Sequence, residues 1–355
     1  MIRYMRSSET DIIGGMFGLE LFRQQETSGK APEPAFLAKP HLLLATARSA
    51  FTLLARKLQP KTVWLPSYLC EVLMGAFPAH LMDVRFYPVD EQLRIAEEDW
   101  LSEIQANDIV LFIDYFGFSQ WADWGAEARR RGAWVVEDAA QALLSKHFNK
   151  HSHYVVFSPR KFAGVPDGGI LLALNGAELP NESLAASPAR WWMEATRASI
   201  LRAEFDRHGG ERSWFEIFQK TEAGAPLEPY RMSDLSLSIL MHAVDWRMVS
   251  QQRRDNYQLL ASELGQIALY PELTSDVVPL GFPIRLKDRD RIRQALFAEK
   301  IYPQVHWSIK GVVPSEFEAS HRLAYEMMTL PCDQRYNKSD MERVVSQLKL
   351  CSKIS

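Results

Sequence analysis

Between residues 42 and 174, short apolar runs alternate with stretches whose hydrophobic positions recur every three or four residues. The runs at 42–45, 62–65, 84–89, 109–113, 133–136, 154–157 and 169–174 read as strands. Helical spacing falls between several of them, at 49–58, about 70–79, and 121–131. Strands and helices in alternation require crossover connections. The pattern therefore predicts an α/β fold with a mostly parallel sheet covered on both faces.

The pattern changes after this series. Residues 184–212 read as helical and are rich in Arg and Trp, and a polar stretch with Gly and Pro follows at 223–229. Residues 233–264 read as a long helical region, continuous or broken, with Gln251, Gln252, Arg253 and Arg254 on an exposed face. The remainder predicts a strand at 278–284, a helix at 289–299 and a last helix at 339–350 capped by Ser339. Residues 1–35 look irregular, with Gly14-Gly15 and a proline-containing stretch at 31–34. The expected organisation is an N-terminal segment (1–35), a large domain (36–240) and a smaller C-terminal α/β domain (241–355).

A length of 355 residues suits that division. With 47% hydrophobic and 24% charged residues, the chain has the composition of a soluble globular protein. A net charge of -3 argues against a nucleic-acid partner, which normally meets a basic surplus. Cys70, Cys332 and Cys351 are an odd set without the paired spacing of a zinc site, so no metal is expected and a reducing cytoplasm fits. The first residues lack the apolar core of a signal peptide, and no apolar run is long enough to cross a membrane. The expectation is a cytoplasmic protein without a membrane partner.

Two segments carry chemistry. Val135-Val136-Glu137-Asp138-Ala139-Ala140-Gln141 places an acid at the carboxyl end of a strand, where ligands of open parallel sheets bind. Phe157-Ser158-Pro159-Arg160-Lys161 then places a lysine in a short turn before the strand that opens with Gly168-Gly169. Pyridoxal phosphate needs this pair: an amine for a Schiff base, and an acid that keeps the pyridine nitrogen protonated so that the ring accepts electrons. Asp138 alone would more often be a helix cap or a structural ion pair. The small residues Ala139 and Ala140 tip the balance, since a flat ring can lie close to them, and Gln141 can donate to the phenolic oxygen. Lys161 alone would more often be a solvated charge. Here Phe162, Val165 and Pro166 enclose it, and a lysine withdrawn from water becomes a usable nucleophile, with Arg160 pushing the same way.

The phosphate needs donors at a helix start. Thr46-Ala47-Arg48-Ser49-Ala50 joins the first core strand to the first core helix and supplies backbone amides, including those of Ala47 and Arg48, hydroxyls and one guanidinium. The simpler role of this turn is an N-cap by Thr46. Ser158 is a second candidate phosphate ligand. Tyr115, in Tyr115-Phe116-Gly117-Phe118, ends a strand and lines either the pocket or the core. His306 and Arg231 are candidates for substrate contact, Arg231 through a carboxylate or phosphate, although most such arginines are solvated.

In order along most of the chain, these segments resemble the DegT/DnrJ/EryC1/StrS family of pyridoxal-phosphate sugar aminotransferases. The resemblance runs through Gly14-Gly15-Met16-Phe17, the turn at 46–51, Leu65-Pro66-Ser67-Tyr68, Asp114-Tyr115-Phe116-Gly117, the Glu137 to Ala142 run, 158–169, Tyr230-Arg231-Met232-Ser233 and Leu330-Pro331. It implies the fold-type-I, aspartate-aminotransferase-like architecture. It also implies that Lys161 holds the cofactor and moves the proton, that Asp138 meets the pyridine nitrogen, and that Gln141 meets the phenolic oxygen. By the same resemblance the amino donor is an amino acid such as L-glutamate, the acceptor is a ketone on a nucleotide-linked sugar, and the active site lies at the seam of a homodimer. Members of this kind serve polysaccharide or secondary-metabolite synthesis. A related branch that removes a sugar hydroxyl carries histidine in place of the lysine, so Lys161 points to transamination. The chain departs from the family at Ala47 and Arg48, where a Gly-Thr or Gly-Ser turn is usual. It departs again at Cys70, where an aromatic usually stacks on the cofactor, and at Glu228-Pro229, where an asparagine is usual. Two alternatives use the same residues: a pyridoxal-phosphate enzyme of another reaction type, and a binding protein that has lost catalysis.

Overall fold

A strand buried on both faces is a continuous apolar run, and the sheet is built from such runs. A computed structural model describes residues 12–21, 34–37, 40–146 and 150–352; residues 1–11 and 22–33 of the expected N-terminal segment lie outside them. The first part of the chain forms β1 (Ile13–Gly14), β2 (His41–Leu44), α1 (Ala47–Leu58), β3 (Thr62–Pro66), β4 (Asp83–Tyr87), β5 (Ile109–Ile113), α2 (Ala122–Arg130), β6 (Trp134–Asp138), β7 (Tyr154–Phe157) and β8 (Gly169–Ala173). Strands β3, β5, β7 and β8 are buried at every position, whereas the edge strand β4 alternates toward solvent. Seven strands form one sheet in the order β2-β8-β7-β6-β5-β3-β4. Only β8 runs against the others, pairing antiparallel with both β2 and β7. This is the mostly parallel central sheet that the apolar runs predict.

The second part forms α3 (Ala189–His208), α4 (Ser213–Ala223), α5 (Asp234–His242), α6 (Trp246–Leu264), β9 (Phe282–Arg285), α7 (Arg289–Ala298), β10 (Ile301–Tyr302), α8 (Glu318–Glu326), β11 (Met327–Leu330) and α9 (Lys338–Ser352). Strands β9 and β11 pair antiparallel, and β1 reaches across the chain to pair in parallel with β10, Ile13 opposite Ile301. One apolar cluster includes Phe51, Leu65 and Phe112, and a second includes Phe157, Phe162 and Ile239. Among the described residues, no helix is long and apolar enough to cross a membrane, and no cluster of side chains is arranged to hold a metal.

Several expected elements differ. The helix expected at 70–79 is only a 3-10 turn, Glu71–Gly75, because Cys70 gives it no capping bond and Pro78 cannot donate the bond that would continue it. Strand β4 stops before Pro88, which has no N–H for the ladder. The region 233–264 is two helices, and Asp245 starts the second by accepting the Met248 N–H at 3.0 Å. The last helix is capped by Asn337, not Ser339: its Oδ1 accepts from Ser339 N at 2.8 Å and Asp340 N at 3.2 Å. The strand expected at 278–284 shifts to Phe282–Arg285, where it meets β11. Helix α4 has Trp214, Ile217, Phe218 and Thr221 at helical spacing but lies beyond the segment read as helical, whereas strands β10 and β11 carry no local period and are created by pairing with distant segments.

Candidate active site

The direction of β8 decides where chemistry can gather. Because it alone runs backward, its first residues lie at the edge where β2, β6 and β7 end. The register places Leu44 opposite Gly169, Phe157 opposite Ile170 and Asp138 opposite Val156. The Thr46 turn, Asp138, Ser158 and Lys161 therefore meet on one edge and line one cleft of about 970 Å³. Gly169 allows the closeness: a Cβ there would lie 2.4 Å from the Thr46 carbonyl group and 2.5 Å from Ala47 N.

Asp138 is the last residue of β6, 9% exposed, and its Oδ1 accepts the Ala140 N–H at 3.0 Å. No helix follows it, and no cation lies within ion-pair distance among the described residues, so neither structural role considered for it applies. Burial pushes its pKa up to about 6 against the opposing pull of the Lys161 charge. Gln141, expected at the phenolic oxygen, is buried just behind Ala140 and does not itself line the cleft. Its Oε1 accepts the Phe116 N–H at 2.6 Å, which turns the amide so that Nε2 is a donor without a partner among the described residues.

Lys161 sits in a 3-10 turn, Pro159–Lys161, over a floor of buried Phe162, Ala163 and Val165. It is half-buried rather than enclosed, and its amine has no ion pair among the described residues. The loop around it is pinned from two sides. The Asp167 carboxylate accepts from Ser233 N at 2.8 Å, Ser233 Oγ at 2.6 Å and Ser236 Oγ. On the other side, the Gln334 amide donates to the Phe162 carbonyl at 2.6 Å and accepts from Arg253 Nε at 2.8 Å. Arg253 thus is not on an exposed face; it is fully buried, its guanidinium over the Phe162 ring at 4.5 Å and bonded to the Pro279 and Leu280 carbonyls.

At the other end of the cleft, Thr46 caps α1, its Oγ1 accepting the Ser49 N–H at 3.2 Å. The N–H groups of Ala47 and Arg48 open the helix, where no carbonyl inside it can take them. The Ser158 hydroxyl also faces this cleft. Arg160 does not act on Lys161 as a bare neighbouring charge. Its Nη2 bonds Glu222 Oε1, and Arg48 Nη2 lies 3.9 Å from the other oxygen of the same carboxylate. Burial alone would raise the pKa of Glu222, but the two guanidinia outweigh it and hold the carboxyl below its usual range.

The remaining expected contacts divide. His306 lines the cleft, buried, with Nδ1 3.0 Å from Thr329 Oγ1; burial, helped by the Lys161 charge, lowers its pKa to about 3 and keeps the imidazole neutral. Tyr115 is buried away from the cleft lining, its hydroxyl donating to the Tyr68 carbonyl, so core packing is its place. Arg231 is half-exposed outside the lining, 3.6 Å from Asp234. Cys70 borders the cleft and is a free thiol, as are Cys332 and Cys351. Sequence reasoning missed Glu222, Arg253, Asp167 and Gln334. Only Asp167 left a local trace, just before Gly168-Gly169; the others act through segments about sixty or more residues from Lys161.

The donor set fits pyridoxal phosphate. A buried acid without a cation matches a pyridine nitrogen, the unpartnered Gln141 Nε2 matches a phenolic oxygen, and the carboxylate between Arg48 and Arg160 shows that this end takes an anion. Fold and site define a pyridoxal-phosphate aminotransferase of fold type I. The model of the DegT/DnrJ/EryC1/StrS aminotransferase family matches residues 104–349, and the chain belongs to that family. Similar solved structures include Helicobacter pylori PseC, an aminotransferase involved in the biosynthesis of pseudoaminic acid, with TM-score 0.68 and 13% identity over 96% of this chain and 100% of that one. A DegT/DnrJ/EryC1/StrS aminotransferase from Brucella abortus gives TM-score 0.65 and 15% identity over 90% and 88%. NtdA from Bacillus subtilis, with bound cofactor PMP, gives 0.64 and 16% over 89% and 74%. At such identities the likeness establishes the fold. No curated protein matches the sequence.

Proposed function

We infer that this aminotransferase moves an amino group from an amino acid, L-glutamate foremost, to a ketone on a nucleotide-linked sugar or a related cyclic ketone, for polysaccharide or secondary-metabolite synthesis. The observation that carries the reading is the meeting of Asp138, Lys161 and the start of α1 in one cleft. Family membership and the likeness to PseC support a sugar acceptor.

Pyridoxal phosphate supplies an aldehyde for amine exchange and a ring that takes up electrons. Asp138 holds the proton at the pyridine nitrogen, and the low polarity around it strengthens that contact. Gln141 Nε2 donates to the phenolic oxygen. The Ala47 and Arg48 amides, the Arg48 guanidinium and the Ser158 hydroxyl receive the phosphate. Lys161 Nζ would hold the cofactor through its amine and would serve as the base and acid that moves the substrate proton. His306, neutral and fixed by Thr329, orients the substrate from the wall across the cleft. The protein works in the cytoplasm as a homodimer whose seam borders the cleft, and Arg231 with its exposed guanidinium serves the site across that seam. The chain divides at about residue 240 into the sheet-bearing domain and the smaller one.

The test is an absorption spectrum of the purified protein with pyridoxal phosphate, then with L-glutamate, then with keto-sugar nucleotides. Loss of the lysine-bound band on adding glutamate, and its return with an aminated sugar, is the expected result. A band that no amino donor changes would end the proposal.

A further inference from the structure

We propose that Glu222 is an internal anion that holds the seat of the cofactor's phosphate until pyridoxal phosphate displaces it, so that cofactor entry is coupled to release of the end of α4. The inference rests on the reading that the start of α1 receives the phosphate.

The seat is cationic by construction. Arg48 and Arg160 converge there, each side chain 19% exposed; burial first, and then the repulsion from Arg160, make the Arg48 guanidinium hold its proton less firmly. The first amides of α1 add the positive end of the helix. Two arginines facing each other in a cleft require an anion between them, and Glu222 provides it. Carboxylate and phosphate compete for the same guanidinium donors. Both cannot be held together, because a phosphate beside the carboxylate would bring like charges into contact in a partly desolvated site.

Glu222 is also placed to leave. It lies on the last turn of α4, one residue before the helix ends at Ala223, and its side chain is 34% exposed. Part of the carboxylate already faces water, so it can swing out without crossing the protein interior. The segment it belongs to covers the seat through two further contacts: Arg48 Nη1 donates to the Glu222 carbonyl at 3.5 Å, and Thr46 Oγ1 to the Pro226 carbonyl at 3.3 Å. A phosphate drawn between the arginines removes the carboxylate that anchors this cover. Departure of Glu222 therefore loosens residues 222–226 at the moment the cofactor arrives.

The deciding experiment compares wild-type protein with Glu222→Gln, which keeps the shape and removes the charge. Dissociation constants are measured by absorbance for pyridoxal phosphate and for pyridoxal, and inorganic phosphate is used as competitor. The substitution should tighten pyridoxal phosphate at least about tenfold and make inorganic phosphate a stronger competitor by a similar factor. Pyridoxal, which has no phosphate, should bind both proteins equally. Weaker or unchanged binding of pyridoxal phosphate by E222Q, or an equal gain for pyridoxal, would overturn the proposal and make Glu222 a support for the arginines. Should E222Q fail to fold, Glu222→Asp draws the charge back by one methylene and should tighten the phosphate cofactor by a smaller factor; no gain there overturns the proposal as well. Wild-type protein that shows no lysine-bound band with either compound would overturn the reading beneath it, a result distinct from a band that E222Q leaves unchanged.

Discussion

Among the described residues, Asp138 at one end of the cleft meets no cation and Gln141, buried behind that end, has a donor to spare; at the other end, Arg48 and Arg160 already share a carboxylate. On the proposed assignment, in which the first end takes the ring of the cofactor and the second its phosphate, the two ends prepare for it by opposite means. The ring end is built from strand termini and a tight turn, whose backbone cannot move without disturbing the sheet, so its groups are fixed before they have a partner. Their hydrogen-bonding capacity is stored at a cost to folding. The phosphate end is built from a helix start and a helix end brought together from far apart in sequence, and there the charge is met inside the protein. The first end gains partners on binding; the second exchanges them. Substitutions at the ring end should therefore show themselves in chemistry and in stability, those at the phosphate end mainly in affinity.

The largest effect is expected from Lys161→Ala. The lysine-bound absorption band should vanish and turnover should fall by at least about 10³-fold. Lys161 is half-buried without an ion pair, so the melting temperature should move little, within about 0.5 kcal/mol of stability. Full transaminase activity in this variant would remove the ring end from the comparison altogether.

Asp138→Asn comes next and tests the stored cost. In the unfolded chain the carboxyl ionises near its ordinary value of 3.8, whereas in the folded protein it does so at about 6. Between those values the folded state holds the extra proton, so stability falls as pH rises through that window and is level above it. The amide removes this dependence. Without cofactor the variant should match wild type near pH 4 and exceed it by up to about 3 kcal/mol at pH 7, while turnover collapses because the amide cannot hold the pyridinium charge. Thermal melts from pH 4 to pH 7 decide it: parallel pH curves for the two proteins would mean that Asp138 stores nothing.

How far each end is legible follows from the same geometry. Asp138, Gln141 and Lys161 lie within one stretch of 24 residues joined by strands with plain apolar patterns, so sequence order nearly gives spatial order. Most of the central sheet was readable for that reason, since its strands are runs buried on both faces. The phosphate end was half readable: the Thr46 turn has a local signature, but Glu222 is 174 residues from Arg48 and belongs to a helix that the Arg- and Trp-rich pattern did not mark. Arg253 looked solvated because it sits in a run of polar residues. Helical spacing instead places it on the face of Val249, Asn256 and Leu260, where carbonyl groups accept its donors. Tyr115 is read from sequence as lining either the pocket or the core, and its hydroxyl finds its acceptor in the core.

Gln141→Met should have a moderate effect on both sides of the comparison. The thioether fills the space but leaves the Phe116 N–H without its acceptor, which costs about 1–3 kcal/mol of stability. The donor to the phenolic oxygen is lost together with it, so the lysine-bound band should shift in its pH dependence. Denaturant melts and a pH titration of that band measure the two parts separately. A destabilised protein with an unchanged titration would place Gln141 among the structural residues and leave the ring end with Asp138 alone.

The smallest effect is expected from Ser158→Ala, which tests the phosphate end without touching its charges. The Ser158 hydroxyl borders the cleft and has no hydrogen-bond partner among the described residues, so removing it leaves nothing unsatisfied and stability should stay within about 0.5 kcal/mol. If the hydroxyl donates to the phosphate, the variant loses one hydrogen bond to a charged group, and pyridoxal phosphate should bind about tenfold more weakly. Pyridoxal should bind as it does to wild type, and turnover at saturating cofactor should be unchanged. An equal loss for pyridoxal would place Ser158 at the ring end, where its position three residues before Lys161 also allows it to stand. No loss for either compound would leave the two arginines and the start of α1 to hold the phosphate by themselves, and would make exchange of their carboxylate partner the main determinant of affinity there.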